Sequence, residues 1–251
     1  MKDYQAKIVE NKEIANGIFS VTFALQEEPK VRAGQFGDIL VGGTHLLRRP
    51  IAICKVEGNL VTYCYQVKGE GTQKLKTMTA GTQLSVLMPL GNGFFVEESE
   101  KKVALVGGGV GIFPLISVLR EYAGKKEIAA YMGFRNQGAV CGLEEFEKAD
   151  KFVGVTDDGS YGEKMNAVQA FEADLKKGYR PDVVLSCGPL PMLRALKKVV
   201  EAEDLPCFVS LEERMGCGIG ACLVCVCDLT NGAKARVCKD GPVFNAKEVN
   251  L

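Results

Sequence analysis

The stretch KKVALVGGGVGIFPLISVLREYA (residues 101–123) decides the fold class of this chain of 251 residues. It begins with a short uninterrupted apolar run, turns through three glycines, and continues with apolar residues at helical spacing. This order predicts a buried strand that leads through a tight glycine turn into a helix. Pro114 suits the first turn of that helix, because a backbone N–H has no intrahelical partner there.

Strand-like and helix-like segments alternate around this unit over residues 101–210. Such alternation predicts a doubly wound parallel α/β sheet, because parallel strands need crossover connections. The further predicted strands are KKEIAAYMGF (125–134), FVGVTDD (152–158) and PDVVLSCG (181–188), and the further predicted helices are GLEEFEKA (142–149), EKMNAVQAFEADLKK (163–177) and LPMLRALKKVVEAED (190–204).

Residues 1–100 have a different pattern, made of short strand-like runs rich in β-branched and aromatic residues. Regular short strands bounded by Gly, Pro and Asn predict a small antiparallel β-barrel or sandwich. The runs are GIFSVTFAL (17–25), GQFGDILVG (34–42), PIAICKV (50–56), NLVTYCYQV (59–67) and TQLSVLMPL (82–90). Residues 211–251 fit neither pattern, so the chain is expected to have a β-barrel, an α/β domain and a small C-terminal segment.

The C-terminal segment contains ERMGCGIGACLVCVCD (213–228), which carries four of the ten cysteines. Cys217, Cys222, Cys225 and the distant Cys238 follow the C-x4-C-x2-C…C spacing of plant-type two-iron ferredoxins. The glycines among them let the backbone curl, so that amide N–H groups can point at sulfur. A zinc ribbon has two C-x2-C pairs, and a redox dithiol does not need four cysteines. The spacing therefore predicts [2Fe-2S] ligands, and Cys227 is expected to be a small core residue.

Bulk composition excludes several classes of function. Lys plus Arg equals Asp plus Glu, at 31 each, and no basic stripe for phosphate contacts is present. The N-terminus lacks a signal-peptide apolar core, and no run approaches the length of a membrane span, which predicts a soluble, cytoplasmic chain. His45 is the only histidine and stands in a Gly- and Thr-rich loop, which argues against Ser-His or Cys-His catalysis.

Several motifs upstream of the cysteines suit nucleotide cofactors. LLRRPIAI (46–53) and GEGTQKL (69–75) offer arginines and a glycine turn into a helix, which together on a β domain suggest a flavin dinucleotide. In the α/β domain, candidate nicotinamide-nucleotide contacts are Gly107, Gly108, Gly109, Asp157, Cys187 and Gly188. The glycine turn departs from G-x-G-x-x-G, since Ile112 fills the third place. Each motif alone is also compatible with ordinary turn, cap or core chemistry.

In order along the chain, RPIA (49–52), GEGT (69–72), PLGNGF (89–94), GGGVGIFPL (107–115) and CGP (187–189) resemble the ferredoxin–NADP reductase superfamily. The cysteine stretch, RVCKDGPVF (236–244) and TDDGSYG (156–162) resemble one branch, the electron-transfer subunits of NAD-linked type B dihydroorotate dehydrogenases. The resemblance implies an FAD-binding barrel, an NAD-binding α/β domain and a [2Fe-2S] segment. It also implies flavin contacts at Arg49, Pro50, Ile51, Ala52, Cys64, Tyr65, Gln66, Gly71 and Thr72, with Glu212 near the flavin ring.

The resemblance implies that Arg49 binds the flavin diphosphate, with Arg48 as a second partner. Ala52 stands where the family has Ser, so this contact is expected to be made by the backbone alone. The implied partner is an FMN-containing catalytic subunit, in a heterotetramer with two copies of each chain. Electrons would pass from that subunit through the cluster and FAD to NAD+, in pyrimidine biosynthesis, with the CLVCV and GPVF stretches as an apolar docking surface.

Two other interpretations remain open from the sequence. One is an NAD(P)H-dependent iron–sulfur flavoprotein reductase that serves a ferredoxin, an oxygenase, or a hydrogenase or sulfide complex. The other, from a different class, is a non-catalytic redox or iron sensor. Motif spacing does not separate the reductase from the preferred interpretation, because both have the same cofactors. The sensor is expected to bind a cluster but no FAD.

Overall fold

The computed structural model describes all 251 residues and contains fourteen strands and four α-helices. The strands are β1 (Lys2–Ala15), β2 (Ile18–Ala24), β3 (Phe36–Leu40), β4 (Arg49–Glu57), β5 (Leu60–Gln66), β6 (Gln83–Leu90), β7 (Lys102–Gly108), β8 (Glu127–Phe134), β9 (Lys151–Thr156), β10 (Val183–Cys187), β11 (Cys207–Ser210), β12 (Val226–Asp228), β13 (Lys234–Arg236) and β14 (Val243–Asn245). The α-helices are α1 (Glu70–Lys76), α2 (Ile112–Tyr122), α3 (Ala167–Lys176) and α4 (Leu190–Ala202).

The N-terminal domain is a closed six-stranded antiparallel barrel in the order β1-β2-β5-β4-β3-β6. Strand β1 was not among the strand-like runs of the sequence, although its inward side chains Tyr4, Ala6 and Ile8 alternate with exposed polar ones. The barrel interior is filled by large side chains such as Phe23 and Tyr63, which meet edge to face. The barrel prediction is therefore confirmed, with one long strand added.

The second domain is a sheet in the order β14-β11-β10-β7-β8-β9, parallel except for β14 at one edge. Successive residues of β7 face opposite layers: Val103 and Leu105 pack with α2, whereas Ala104 and Val106 pack with α3 and α4. Because both faces of the sheet are covered, this strand is apolar throughout, as its sequence indicated. The doubly wound architecture is confirmed.

Two of the predicted helices differ in detail. The segment Leu143–Lys148 is a 3-10 helix of six residues, so only part of GLEEFEKA has helical structure and none of it is α-helical. Helix α3 begins at Ala167, four residues after the predicted start, because Asn166 caps it. The Asn166 side chain accepts a hydrogen bond from the Gln169 backbone N–H.

Helix α2 connects the two domains. Its side chains Ile112, Leu115, Ile116 and Leu119 are almost fully buried, and it packs on both the sheet and barrel strand β4. Polar contacts reinforce this interface, since Gly34 donates its backbone N–H to Ser117 Oγ at 3.0 Å. The barrel and the sheet thus share one apolar interface.

The C-terminal segment is joined to both domains, rather than standing apart from the sheet pattern as its sequence suggested. Strand β14 pairs with β11, and β12 and β13 form a separate two-stranded ribbon. Asn92, in the loop after β6, donates its side-chain N–H to Asp240 O at 2.9 Å and Val243 O at 3.1 Å. Its Oδ1 accepts from Val243 N–H at 3.2 Å, so one amide side chain links the barrel to this segment.

Replacing Asn92 with Ala should release the C-terminal segment from the barrel. Four side-chain hydrogen bonds are lost, three to the C-terminal segment and one from the neighbouring Gly93 N–H. The expected loss of unfolding free energy is about 1–2 kcal/mol, since each contributes roughly 0.5–1.5 kcal/mol and Asn92 is exposed. Amides around residues 240–243 should lose hydrogen-exchange protection. Asn59→Ala is the matched control, because the Asn59 side chain bonds only Leu25 O inside the barrel. Equal protection at 240–243 in both variants would contradict the assignment.

Candidate functional site

A cavity of about 280 Å³ lies between the barrel and the α/β domain. Ligands of open α/β sheets bind at the carboxyl ends of the strands, and this cavity opens there, beside the end of β10. It is half apolar in lining, with a few polar groups, as expected for a cofactor pocket. The predicted residues that line it are Pro50, Ile51, Ala52, Cys64, Tyr65, Gln66, Thr72, Cys187 and Glu212.

Arg49 and Gly71 lie next to each other just outside that lining. Gly71 is buried in α1, and a Cβ there would collide with the Arg49 guanidinium, so the missing side chain makes room for the arginine. Arg49 Nη1 donates to the carbonyls of Leu47 and Arg48 at 3.0 and 3.1 Å. This cradle of a guanidinium against a glycine turn fits a diphosphate, which arginine binds through its planar fork.

Arg48 faces away from this cradle. Its guanidinium donates to Asp3 Oδ2 at 3.0 Å, Ser85 Oγ at 2.8 Å and Asp38 O at 3.1 Å. These bonds tie β1, β3 and β6 together. The structure therefore gives Arg48 a structural role in the barrel and does not bring it to the predicted diphosphate site.

A second cavity of about 610 Å³ adjoins the first at Gln66, Lys68, Val110 and Glu212, which line both. The predicted nucleotide residues on its wall are Gly108, Gly109, Asp157 and Gly188. Gly107 lies elsewhere: a Cβ there would approach Met132 Sδ at 2.7 Å, so its small size serves packing beneath α2. The two cavities adjoin, so two cofactors bound in them would lie side by side.

The two aspartates at the end of β9 differ in what they bind. Asp158 Oδ1 accepts hydrogen bonds from Ser160 N–H at 2.9 Å and from its hydroxyl at 2.6 Å, which closes the turn. Hydrogen bonds from Ser160 lower the pKa of Asp158. Asp157 instead lines the second cavity, where its carboxylate is available to a ribose hydroxyl. Asp157 is also the aspartate that the sequence predicted as a nucleotide contact.

Two further residues of the junction were missed by the sequence analysis. Ser210 ends β11 directly beside Cys187 in the sheet register, and Lys68 follows β5. Burial raises the pKa of Cys187, the nearby Glu212 carboxylate adds to this, and a hydrogen bond with Ser210 opposes it. The Cys187 thiol is therefore held neutral. Ser210 could have been found from the run CFVS (207–210), which follows the last predicted helix. Strands and helices alternate in this domain, so a strand is expected at that place and Ser210 would lie at its carboxyl end.

The four predicted ligand cysteines lie in two pairs. The Cys222 thiol lies beside that of Cys217, and the Cys225 thiol lies beside that of Cys238. The Cys238 backbone N–H also donates to Cys225 Sγ at 3.4 Å. No group of three or more metal-ligating side chains is arranged around a single ion. Two pairs of thiols fit a binuclear cluster, in which four cysteines serve two irons.

Backbone amides around the first pair prepare it for the thiolate form. Desolvation raises the pKa of Cys217, but hydrogen bonds from the backbone N–H groups of Ile219, Cys222 and Ala221 outweigh it and lower the pKa to about 6. The Ala221 bond measures 3.3 Å. The thiolate is the metal-binding form of cysteine, so the loop favours ligation before any metal arrives.

Cys227 belongs to strand β12 opposite Ala235, and it packs, partly buried, against the apolar cluster that contains Phe36, Cys225 and Cys238. Burial raises its pKa, and its thiol has no hydrogen bond to the other cysteines. This placement supports its interpretation as a packing residue. One part of the predicted docking surface is wrong. Val243 and Phe244 of GPVF are buried in β14, because this strand completes the sheet.

Fold and site together define a two-domain reductase of the flavin and nicotinamide type with an attached cysteine segment. No helix in the structure is long and apolar enough to cross a membrane. The NADH-dependent reduced ferredoxin–NADP oxidoreductase of flavin-based electron bifurcation is similar over 98% of this chain and 90% of its own, with a TM-score of 0.86 and 27% identity. A cytochrome P450 reductase from Amycolatopsis shares the fold, with a TM-score of 0.69 and 23% identity over 80% of this chain and 66% of its own.

Residues 212–250 match the model of the iron–sulfur cluster binding domain of dihydroorotate dehydrogenase B. The NAD(+)-linked dihydroorotate dehydrogenase B electron transfer subunits of Clostridium perfringens and Bacillus pumilus are 36% and 41% identical to this chain, over 100% of it and 99% of each relative. The chain belongs to this family of electron-transfer subunits. The predicted cofactors, FAD, [2Fe-2S] and NAD, agree with the fold, the matched domain and the relatives' names.

Substituting Gly71 with Ala should reduce FAD binding while the fold stays intact. The added Cβ displaces the Arg49 guanidinium, which is the flexible end of a side chain, so the diphosphate contact is lost at little structural cost. A charge-assisted hydrogen bond contributes about 1.5–3 kcal/mol, which predicts an FAD affinity lower by roughly tenfold or more. Flavin fluorescence during titration of the apoprotein measures this.

Gly69→Ala is the matched control for this variant, since nothing lies within 4 Å of a Cβ at Gly69. It precedes the same helix and should bind FAD like the parent chain. Unchanged FAD affinity in Gly71→Ala would contradict the role given to Arg49.

Cys225→Ser should abolish the electron paramagnetic resonance signal of a reduced [2Fe-2S] cluster, whereas Cys227→Ser should keep it. Cys225 lies beside Cys238, whereas Cys227 lies opposite Ala235 in the β12–β13 ribbon and no other cysteine affects its pKa. Iron content and the spectrum of the dithionite-reduced protein are the measurements. The reverse pattern would move the third ligand to Cys227.

Proposed function

We propose that this chain is the electron-transfer subunit of an NAD-linked dihydroorotate dehydrogenase in pyrimidine biosynthesis. Bound FAD and [2Fe-2S] would supply conversion between single-electron transfer and hydride transfer, and so connect an FMN-containing catalytic subunit to NAD+. Arg49 and the α1 turn would hold the flavin diphosphate. Cys217 and Cys222, with Cys225 and Cys238, would ligate the cluster. The proposal rests on the spatial arrangement of the flavin, nucleotide and cluster sites.

One observation carries the proposal: the flavin cavity is bordered by both other sites. Leu211, Glu213 and Met215 line this cavity, and the first cluster cysteine follows only two residues after Met215. The cavity also shares Gln66, Lys68, Val110 and Glu212 with the nucleotide cavity. The middle site of this arrangement suits a cofactor that exchanges electrons with each neighbour.

The residues at the junction support hydride transfer by position and by charge. The buried Cys187 thiol stays neutral and so adds no negative charge where a nicotinamide ring would lie. Apolar side chains, such as Phe113 and Pro114 of α2, line part of the cavity wall.

The cysteine segment also presents an apolar surface to a partner. Ile219, Leu223 and Val224 are 43%, 63% and 56% exposed, and they flank the exposed Cys222. Exposed apolar side chains grouped beside a redox site are typical of a docking surface. We propose that the FMN-containing subunit binds there, in a heterotetramer with two copies of each chain, in the cytoplasm.

A second function is favoured by the similarity to the NADH-dependent reduced ferredoxin–NADP oxidoreductase. In that case the same three sites would serve another protein partner, such as a ferredoxin. Both functions share the cofactors and the docking surface. Only the partner distinguishes them.

The test combines the reconstituted holo chain with an FMN-containing dihydroorotate dehydrogenase subunit from a relative's complex. Dihydroorotate should reduce NAD+ only when both chains are present, followed at 340 nm without oxygen. Leu223→Lys should weaken complex formation at least tenfold, because a charge replaces an apolar contact, and leave NADH–ferricyanide activity unchanged. Phe95→Lys is the control, since Phe95 is also 63% exposed but lies outside the segment. NADH oxidation that couples to reduced ferredoxin and never to dihydroorotate would favour the second function.

A further inference from the structure

Asp38 is a buried carboxylate on the outer wall of the barrel. It lies on β3 between Gly37 and Ile39, and Ile39 points into the barrel core, so Asp38 points outward. Phe36, two residues earlier on the same face, packs in one apolar cluster with Cys225 and Cys238. The face that carries Asp38 is therefore the face on which the cysteine segment rests.

The cysteine loop passes directly over this carboxylate. Gly218 has a φ of +68°, and a Cβ there would lie 2.6 Å from Asp38 Oδ2 and 3.3 Å from Leu90 Cδ1. The loop therefore needs glycine here for its conformation and for its close approach. Gly218 follows Cys217 immediately, which places the carboxylate beside the backbone of a predicted ligand.

The Asp38 carboxylate is left without a local partner. The residue is only 2% exposed, and its Oδ1 accepts no hydrogen bond. Arg48 and Arg49 direct their guanidinium groups to other oxygens, as described above. Burial raises the pKa of Asp38 to about 6, although the positive charges of Arg48 and Arg49 oppose this.

An unpaired buried carboxylate lowers stability, and asparagine would fill the same space without the charge. Perturbed carboxyls of this kind are concentrated at functional sites, where the charge has a use. Two predicted redox sites border this face of the barrel: the cluster and the flavin cavity, which Phe36 and Pro50 line. Asp38 does not line that cavity, and its carboxylate instead meets the cysteine loop at Gly218, so its charge is expected to act on the cluster.

We infer that Asp38 is a positioning residue, which acts on the cluster through the cysteine segment. Its negative charge, beside Gly218, lowers the reduction potential of the cluster. Reduction adds one electron to the cluster, and a neighbouring negative charge in a poorly solvated site disfavours that electron. The charge thus favours onward transfer of the electron to the flavin. The inference rests on the cluster proposed for Cys217, Cys222, Cys225 and Cys238.

The experiment is a potentiometric titration of the holo chain, monitored by the electron paramagnetic resonance signal of the reduced cluster. Asp38→Asn should shift the midpoint potential to a more positive value. The shift should persist in high salt, because screening is weak for a buried charge. Asp3→Asn is the matched control: Asp3 is an exposed carboxylate on the Arg48 guanidinium, and its loss should leave the potential unchanged.

A purely structural role predicts a different result. Asp38→Asn would then lower the urea midpoint of unfolding or the iron content and leave the potential of the remaining cluster unshifted, and this outcome overturns the inference. A parent chain with iron content but no two-iron signal would instead overturn the cluster itself, and the inference with it. A positive shift with unchanged iron content and unfolding midpoint supports the inference.

Discussion

The rest of the structure depends on the burial of α2 on two sides. Its apolar side chains contact the sheet through β7 and β10 and contact the barrel through β4. Each fully buried Leu or Ile contributes about 1.5–3 kcal/mol relative to an exposed one, so this helix binds two domains with a single hydrophobic interface. Because α2 begins at the carboxyl edge of the sheet, the barrel is held over that edge. The flavin cavity is the space that remains between them.

The C-terminal segment is fixed by a second constraint, which acts through hydrogen bonds. Strand β14 pairs with β11, and Leu211 N–H bonds Pro242 O at 2.9 Å, so the start and the end of the segment meet at the sheet edge. Asn92 then ties the same region to the barrel. A cysteine loop between these anchors has little freedom. Its position beside the flavin cavity therefore follows from the fold, not from the cysteines.

Local pattern predicted most of the architecture, because apolar runs, glycine turns and cysteine spacing are read over a few residues. The closing strand β1 was missed, since only three of its side chains face inward among many charged ones. Ser210 was missed although the short strand CFVS was a local signal for it. The burial of Phe244 was missed because it depends on the pairing of β14 with β11, and pairing between distant segments leaves no local signal. The same holds for Arg48, whose partners lie on three strands.

The four predicted ligand thiols differ in their burial. Cys225 and Cys238 are buried against the apolar cluster that includes barrel residue Phe36, whereas Cys222 is exposed among apolar side chains. A cluster bound to both pairs would span from the protein surface toward the interior. Electrons from a docked partner would then enter at the exposed pair, and the buried pair lies on the side of the barrel. Asp38 lies beside Gly218, next to Cys217 of the first pair, and its burial leaves its charge little screened by solvent there.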